Sequence, residues 1–268
     1  MKLLVRHESV YRYDSPVRGV VQSHRLTPAR YDGQQVLDWS VQVSGGQMGG
    51  GFQDGAGDWV QAWTIPGPVS EITVTVQGNV DTVDLTGVLR GYRERIAPAV
   101  YLRHTPATIP DAALTELAQG GPEGDALALA HTLAEAVADA IAYRPGVTHA
   151  HTTAAEALAL GEGVCQDHTH ALIACARMRG MPARYVSGYL HADADGQEHE
   201  AAHAWAEIHV GDLGWVGFDA PNRCCPDERY IRLGSGLDAR DAAPIRGIAR
   251  GNGTEDLDVT VAVVAQQQ

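Results

Sequence analysis

The chain has 268 residues, 44% of them hydrophobic, enough to build a core and consistent with one large domain or two smaller ones. Lys and Arg number 20 against 33 Asp and Glu, a formal net charge of -13. That is the wrong sign for neutralising nucleic-acid phosphates or docking on anionic lipid, so nucleic-acid and membrane partners are excluded. The opening MKLLVRHESVYRYDSP places Arg6, His7 and Glu8 where a signal peptide needs an apolar core. No stretch approaches the ~18 apolar residues of a membrane-spanning helix, and the expected location is cytoplasmic.

The first ninety or so residues read as strands: LLVRHESVYRY, VRGVVQSHRL after an Asp14-Ser15-Pro16 turn, VLDWSVQV, DWVQAWTI and SEITVTVQGNV. Alternation, β-branched and aromatic content and closely spaced turn signals predict an all-β, sandwich-like domain over 1–90. The Gly-rich segment at 44–57 reads as a long loop within it. The exposed edges of such a domain are compatible with a homodimer. Pro98, Pro106 and Pro110 then mark a crossover. Asp111 and Asp125 are placed to cap Ala- and Leu-rich helices over about 112–119 and 125–142, the second stopped by Pro145 and Gly146.

From residue 165 the periodicity changes. Leu172, Cys175, Ala176 and Arg179 fall at i, i+3, i+4 and i+7, and Gly180 with Pro182 supplies a stop, so a helix of about four turns starts at Cys165. ARYVSGYL (183–190) predicts a strand. HAWAEIHV (203–210) alternates, with Ala204, Ala206, Ile208 and Val210 on one face and His203, Trp205, Glu207 and His209 on the other. GWVGFDAP (214–221) follows a GDLG turn and predicts a hairpin. DLDVTVAVV (256–264) predicts a final strand, expected to return to the core formed by 91–268.

Four cysteines, Cys165, Cys175, Cys224 and Cys225, are too few and too irregular for a disulfide framework, so reduced thiols are expected. Among them Cys165 has the surroundings of a nucleophile, because unpaired N–H groups and the macrodipole at a helix start stabilise a thiolate. Cys175, on the apolar side of the same helix, fits core packing. A nucleophilic Cys needs an imidazole to move its proton, and the imidazole needs an orienting partner. His203 opens one strand and Asp219 closes the next. An odd turn that pairs Val210 with Gly214 sets Trp205 opposite Asp219 and puts His203 and Asp219 on one face as diagonal neighbours. An even turn would place them on opposite faces.

These residues lie in a recognisable frame. GVCQDHTHALIACARMRGMPARYVSGYL and AAHAWAEIHVGDLGWVGFDAPN resemble the bacterial transglutaminase-like family of cysteine hydrolases and acyltransferases. HESVYRYDSPV and RLTPAR resemble the β-rich domain that precedes the core in bacterial members, and GLDARDAAPIRGIARG resembles their C-terminal signature. The resemblance implies an α+β fold: a papain-like core in which a Cys-bearing helix packs on an antiparallel sheet, preceded by the all-β domain. It implies Cys165 as nucleophile, His203 as base and Asp219 as orienting acid. The chain departs from the family where FDPT is usual, reading Phe218-Asp219-Ala220-Pro221. It also carries Leu237 and Ala239 where Arg and Tyr are common.

The implied chemistry is attack of the Cys165 thiolate on a peptide or protein amide to give a thioester. Water would then release an acid, as in a protease or amidase, and an amine would give protein-glutamine gamma-glutamyl transfer; hydrolysis is expected. The oxyanion would be held by the Cys165 N–H and one further donor. No Ca²⁺-loop pattern occurs, so no metal or other cofactor is expected. Two other readings compete. His168, His170, His191, His199, His203 and His209 cluster near Cys165 and raise a zinc site, but C-x2-C and H-x3-H spacings are missing and the four-residue step from His199 to His203 enters a strand. A non-catalytic binding module on the same scaffold is the third class, opposed by the intact Cys165, His203 and Asp219.

Overall fold

In a computed structural model, residues 1–191 and 201–266 are described. The chain opens with β1 (Lys2–His24), β2 (Gln34–Val43), β3 (Gln47–Gln53) and β4 (Trp59–Thr82). β1 and β4 pair antiparallel along most of their length, with register shifts between Arg12 and Val17 and between Val17 and Gly19. The expected turn at Asp14-Ser15-Pro16 is therefore a bulged stretch inside one 23-residue strand. Proline cannot donate to the ladder, and a bulge absorbs it while bending the strand. The predicted loop at 44–57 is corrected as well, since Gln47–Gln53 form an edge strand on the first half of β4. Its three glycines carry no strand signal of their own, and the pairing comes from the partner.

The crossover leads to α1 (Ala112–Leu117) and α2 (Ala126–Ala140). The side chains of Asp111 and Asp125 accept the N–H groups of Leu114 and Ala128, as helix caps. Two short parallel strands, β5 (Ala142–Tyr143) and β6 (Glu162–Gly163), flank α3 (Ala154–Leu160). Then come α4 (Cys165–Met178), β7 (Ala183–Leu190), β8 (Ala202–Val210), β9 (Gly214–Phe218) and β10 (Tyr230–Gly236), the four strands forming an antiparallel sheet in the order β10-β7-β8-β9. α4 is buried from Asp167 through Arg177. Its apolar residues share a core with α1, α2, α3 and the inner faces of β7 and β8, including Leu133, Val137, Leu172, Ile173, Ala206 and Ile208.

The last strands, β11 (Ile245–Ala249) and β12 (Glu255–Ala265), do not join this core sheet. Both pair antiparallel with β1, β11 over Val20–His24 and β12 over Leu3–Tyr13. The strand expected at 256–264 forms, but it completes the six-stranded first sheet. The two sheets also share side-chain packing, because Tyr189, Ile231 and Leu233 of the core sheet are buried among Leu3, Val5, Ile65 and Val74 of the first.

A buried ionic network fastens the same junction. Glu207 accepts from Arg184 Nε at 2.6 Å and from Arg232 Nε at 2.8 Å. Arg232 also donates to Asp58 Oδ1 at 2.8 Å, and Asp58 Oδ2 accepts from the backbone and hydroxyl of Ser235. Asp58 lies in the turn before β4, so the core sheet and the first sheet are joined by paired charges out of water. Such groups persist only when their partners are in place.

Candidate active site

The stretch Gly163-Val164-Cys165-Gln166-Asp167 builds the helix start. Asp167, fully buried, turns back to accept the Val164 N–H at 2.8 Å and the Thr148 hydroxyl at 2.7 Å. A Cβ on Gly163 would lie 2.7 Å from its carboxylate, so only glycine fits there. His168 places its ring nitrogens against the carbonyls of Val164 and Ile141 at 2.9 and 2.8 Å. These contacts fix Cys165 as the first residue of α4. Asp167, not Gln166, is the anchoring residue.

The hairpin delivers the partner side chains. Val210 pairs with Gly214 and Ala206 with Phe218, the odd-turn register that puts His203 and Asp219 on one face. His203 Nε2–H donates to Asp219 Oδ2 at 2.6 Å. Asp219 Oδ2 also accepts from the Tyr230 hydroxyl at 2.7 Å and from Asn222 Nδ2 at 2.8 Å. Cys165 and His203 line the same cleft. Trp205 stacks beside the imidazole, with ring centroids 6.4 Å apart. Gly188, opposite His203 on β7, leaves room for it, because a Cβ there would lie 2.5 Å from the indole. Tyr230 and Asn222 are absent from the sequence-based site. The only signal for them is position, Asn222 in the turn after Asp219 and Tyr230 at the start of the next strand.

Burial alone would lower the basicity of His203. Hydrogen bonds to Asp219 and Cys165 and the charges of both partners outweigh it, raising the pKa to about 10. For Asp219, burial favours the neutral acid, but the bonds and charge of His203 with the donors Asn222 and Tyr230 hold its carboxyl below the usual range.

The remaining sequence candidates separate from this cluster. Cys175 is fully buried among apolar residues, which pushes its thiol up to about 12. His170 is buried, accepts the Ala239 N–H through Nε2 at 3.0 Å and is lowered to about 4 by burial. His191 faces the Val263 carbonyl, and His209 stacks edge-on to Trp215. His199 lies outside the described residues. Among the described residues, no three His, Cys, Asp or Glu side chains converge as a metal site would require, and no helix is long and apolar enough to cross a membrane.

Cys165 and His203 open onto a cleft of about 440 Å³ between α4, β7, β8 and the first sheet. An α+β protein with a helix-start cysteine and a histidine–aspartate pair on one cleft is the class that fold and site define. Residues 114–220 match the transglutaminase-like superfamily core, and residues 3–81 match the bacterial transglutaminase-like N-terminal region. An uncharacterized protein of Mycobacterium leprae is 32% identical over 98% of both chains. The chain belongs to the bacterial transglutaminase-like family. Uncharacterized proteins of Mycobacterium bovis and Mycobacterium tuberculosis are 36% identical over 46% of this chain and 42% of their own. Among solved structures, the "Putative Cysteine Protease" from Cytophaga hutchinsonii superimposes with a TM-score of 0.73 at 20% identity, covering 100% of this chain and 92% of that one, a likeness of fold.

Proposed function

We propose that the protein is a cysteine-dependent hydrolase of peptide or protein amides, acting through a thioester acyl-enzyme in the cytoplasm, where the four free thiols stay reduced. The observation that carries this reading is His203, bonded to Asp219 at 2.6 Å, lining one cleft with the helix-start Cys165.

With Nε2–H committed to Asp219, Nδ1 is left for the sulfur. The Cys165 thiolate attacks the amide carbon, forming a C–S bond and an oxyanion near the Cys165 N–H at the positive end of α4. His203 gives its proton to the leaving nitrogen as the C–N bond breaks. Acylation also removes the thiolate charge that helped to raise the imidazole pKa, so neutral His203 becomes the better base for the next step. It takes a proton from water, the water oxygen attacks the thioester, and the acid leaves as the thiolate returns.

The test is product analysis on peptide amides in ¹⁸O-labelled water, with and without excess primary amine. One ¹⁸O in the released acid, lost in Cys165→Ala, is expected. Amine incorporation with no acid formed would replace hydrolysis by gamma-glutamyl transfer, and turnover surviving Cys165→Ala would overturn the thioester route altogether.

A further inference from the structure

The cleft has a far wall that the chemistry above does not use. It consists of alternate residues of β1 (His7, Ser9, Tyr11) and of β12 (Leu257, Val259), with Val259 paired to Ser9 and Leu257 to Tyr11. Alternate residues of paired strands share a face, so this wall is one continuous patch of the first sheet, presented across the gap from Cys165. Leu257 and Val259 are 48% and 45% exposed. Ile245 and Pro244, at the start of β11, extend the patch.

Among the described residues lining the cleft there is no Asp, Glu, Lys or Arg. His7 is engaged by the Tyr189 hydroxyl at 2.7 Å and by Ser9 Oγ at 2.8 Å, and burial lowers its pKa to about 4, so it is neutral at pH 7. A charged side chain laid against this wall would shed hydration without meeting a charged partner among the described residues that form it, whereas an apolar one would cover Leu257, Val259 and Tyr11. The volume is within the range of sites that bury small ligands, about 300–1,000 Å³.

Building on the amide-hydrolase reading, we propose that the β1–β12 wall is a specificity subsite, selecting substrates with an uncharged apolar side chain near the scissile amide. The first sheet would then contribute directly to substrate choice.

The subsite can be tested without relying on turnover. Cys165 is alkylated with three iodoacetamides bearing a phenethyl, a carboxylate or an ammonium tail, each rate normalised to that with free cysteine, and the labelled peptide is identified by mass spectrometry. The phenethyl reagent should label Cys165 at least about tenfold faster than either charged one, the ratio that about 1.4 kcal/mol of apolar contact yields. In Val259→Asp the phenethyl advantage should shrink and the ammonium reagent should overtake the carboxylate one. Equal normalised rates in the wild type overturn the subsite. Apolar selectivity in labelling with no amide turnover upholds the subsite and overturns the hydrolase reading instead.

Discussion

β8 carries two titratable side chains four residues apart on one face, His203 and Glu207, in opposite settings. Glu207 is enclosed by Arg184 and Arg232, and the indole of Trp215 lies 4.0 Å from the Arg184 guanidinium carbon. The cavity beside it measures about 30 Å³, room for a water. His203 is held by Asp219, but it opens onto a cleft of about 440 Å³ that Cys165 also lines. Burial opposes the ionised form in both, and neighbouring charges restore it. A perturbed ionisation therefore does not mark a reactive site by itself. Access and a nucleophile distinguish the two.

The largest expected effect breaks the open site alone. Cys165→Ala should abolish amide turnover, and His203→Ala should lower it by ~10²–10⁴-fold, while circular dichroism and urea titration of Cys165→Ala stay near the wild type. An active His203→Ala would remove the proposed proton carrier. The raised pKa also has a stability consequence with a definite sign. His203 is more basic in the folded chain than the unfolded value of 6.5, so its contribution is full below pH 6.5 and is lost as pH rises through about 10. The urea-midpoint difference between wild type and His203→Ala should shrink over that window, and a difference that grew with pH would contradict the ion-pair assignment.

The closed site should fail in the opposite way. Glu207→Gln leaves two buried guanidinium groups without their shared carboxylate and should cost about 3–5 kcal/mol of stability, read by urea unfolding, with activity per folded molecule largely kept. Loss of activity at unchanged stability would mean that Glu207 belongs to the reactive cluster. Tyr230→Phe should act more gently. It removes one donor from Asp219, whose carboxylate then holds the imidazolium more tightly, so the upper limb of the pH–rate profile should move to higher pH with a loss of about tenfold or less in kcat. A downward shift would show that Tyr230 works through something other than Asp219.

The open site was more legible in sequence than the closed one because its information is local. Cys165 is marked by a helix start, and His203 and Asp219 by strand alternation and the parity of a short turn, all within 55 residues of chain. Arg232 and Asp58 are 174 residues apart and meet only because the two sheets pack together. Neither residue sits in a pattern that announces a partner. The same limit explains β12, whose strand character is written in DLDVTVAVV while its choice of β1 is not. It explains β3 too, where glycines hide a strand that β4 imposes. At Asp14-Ser15-Pro16 the local turn signal was overridden by β4, which pairs on both sides of it.

The finest comparison lies within α4 itself. Cys165 and Cys175 are ten residues apart on one helix, the first beside His203 at the mouth of the cleft, the second fully buried with Sγ 3.8 Å from the Leu114 carbonyl. Burial pushes the Cys175 thiol up to about 12, so it stays protonated at neutral pH and out of reach of reagents. Cys175→Ala removes one sulfur from a packed interior and should cost only about 1 kcal/mol, because the void is small. Under native conditions at pH 7 the mutant should take up iodoacetamide at Cys165 at the wild-type rate. In urea the wild type should gain a labelled Cys175 peptide that the mutant lacks. If native labelling of the wild type were found on Cys175, or if Cys175→Ala slowed labelling overall, the assignment of the nucleophile to the helix start would fall.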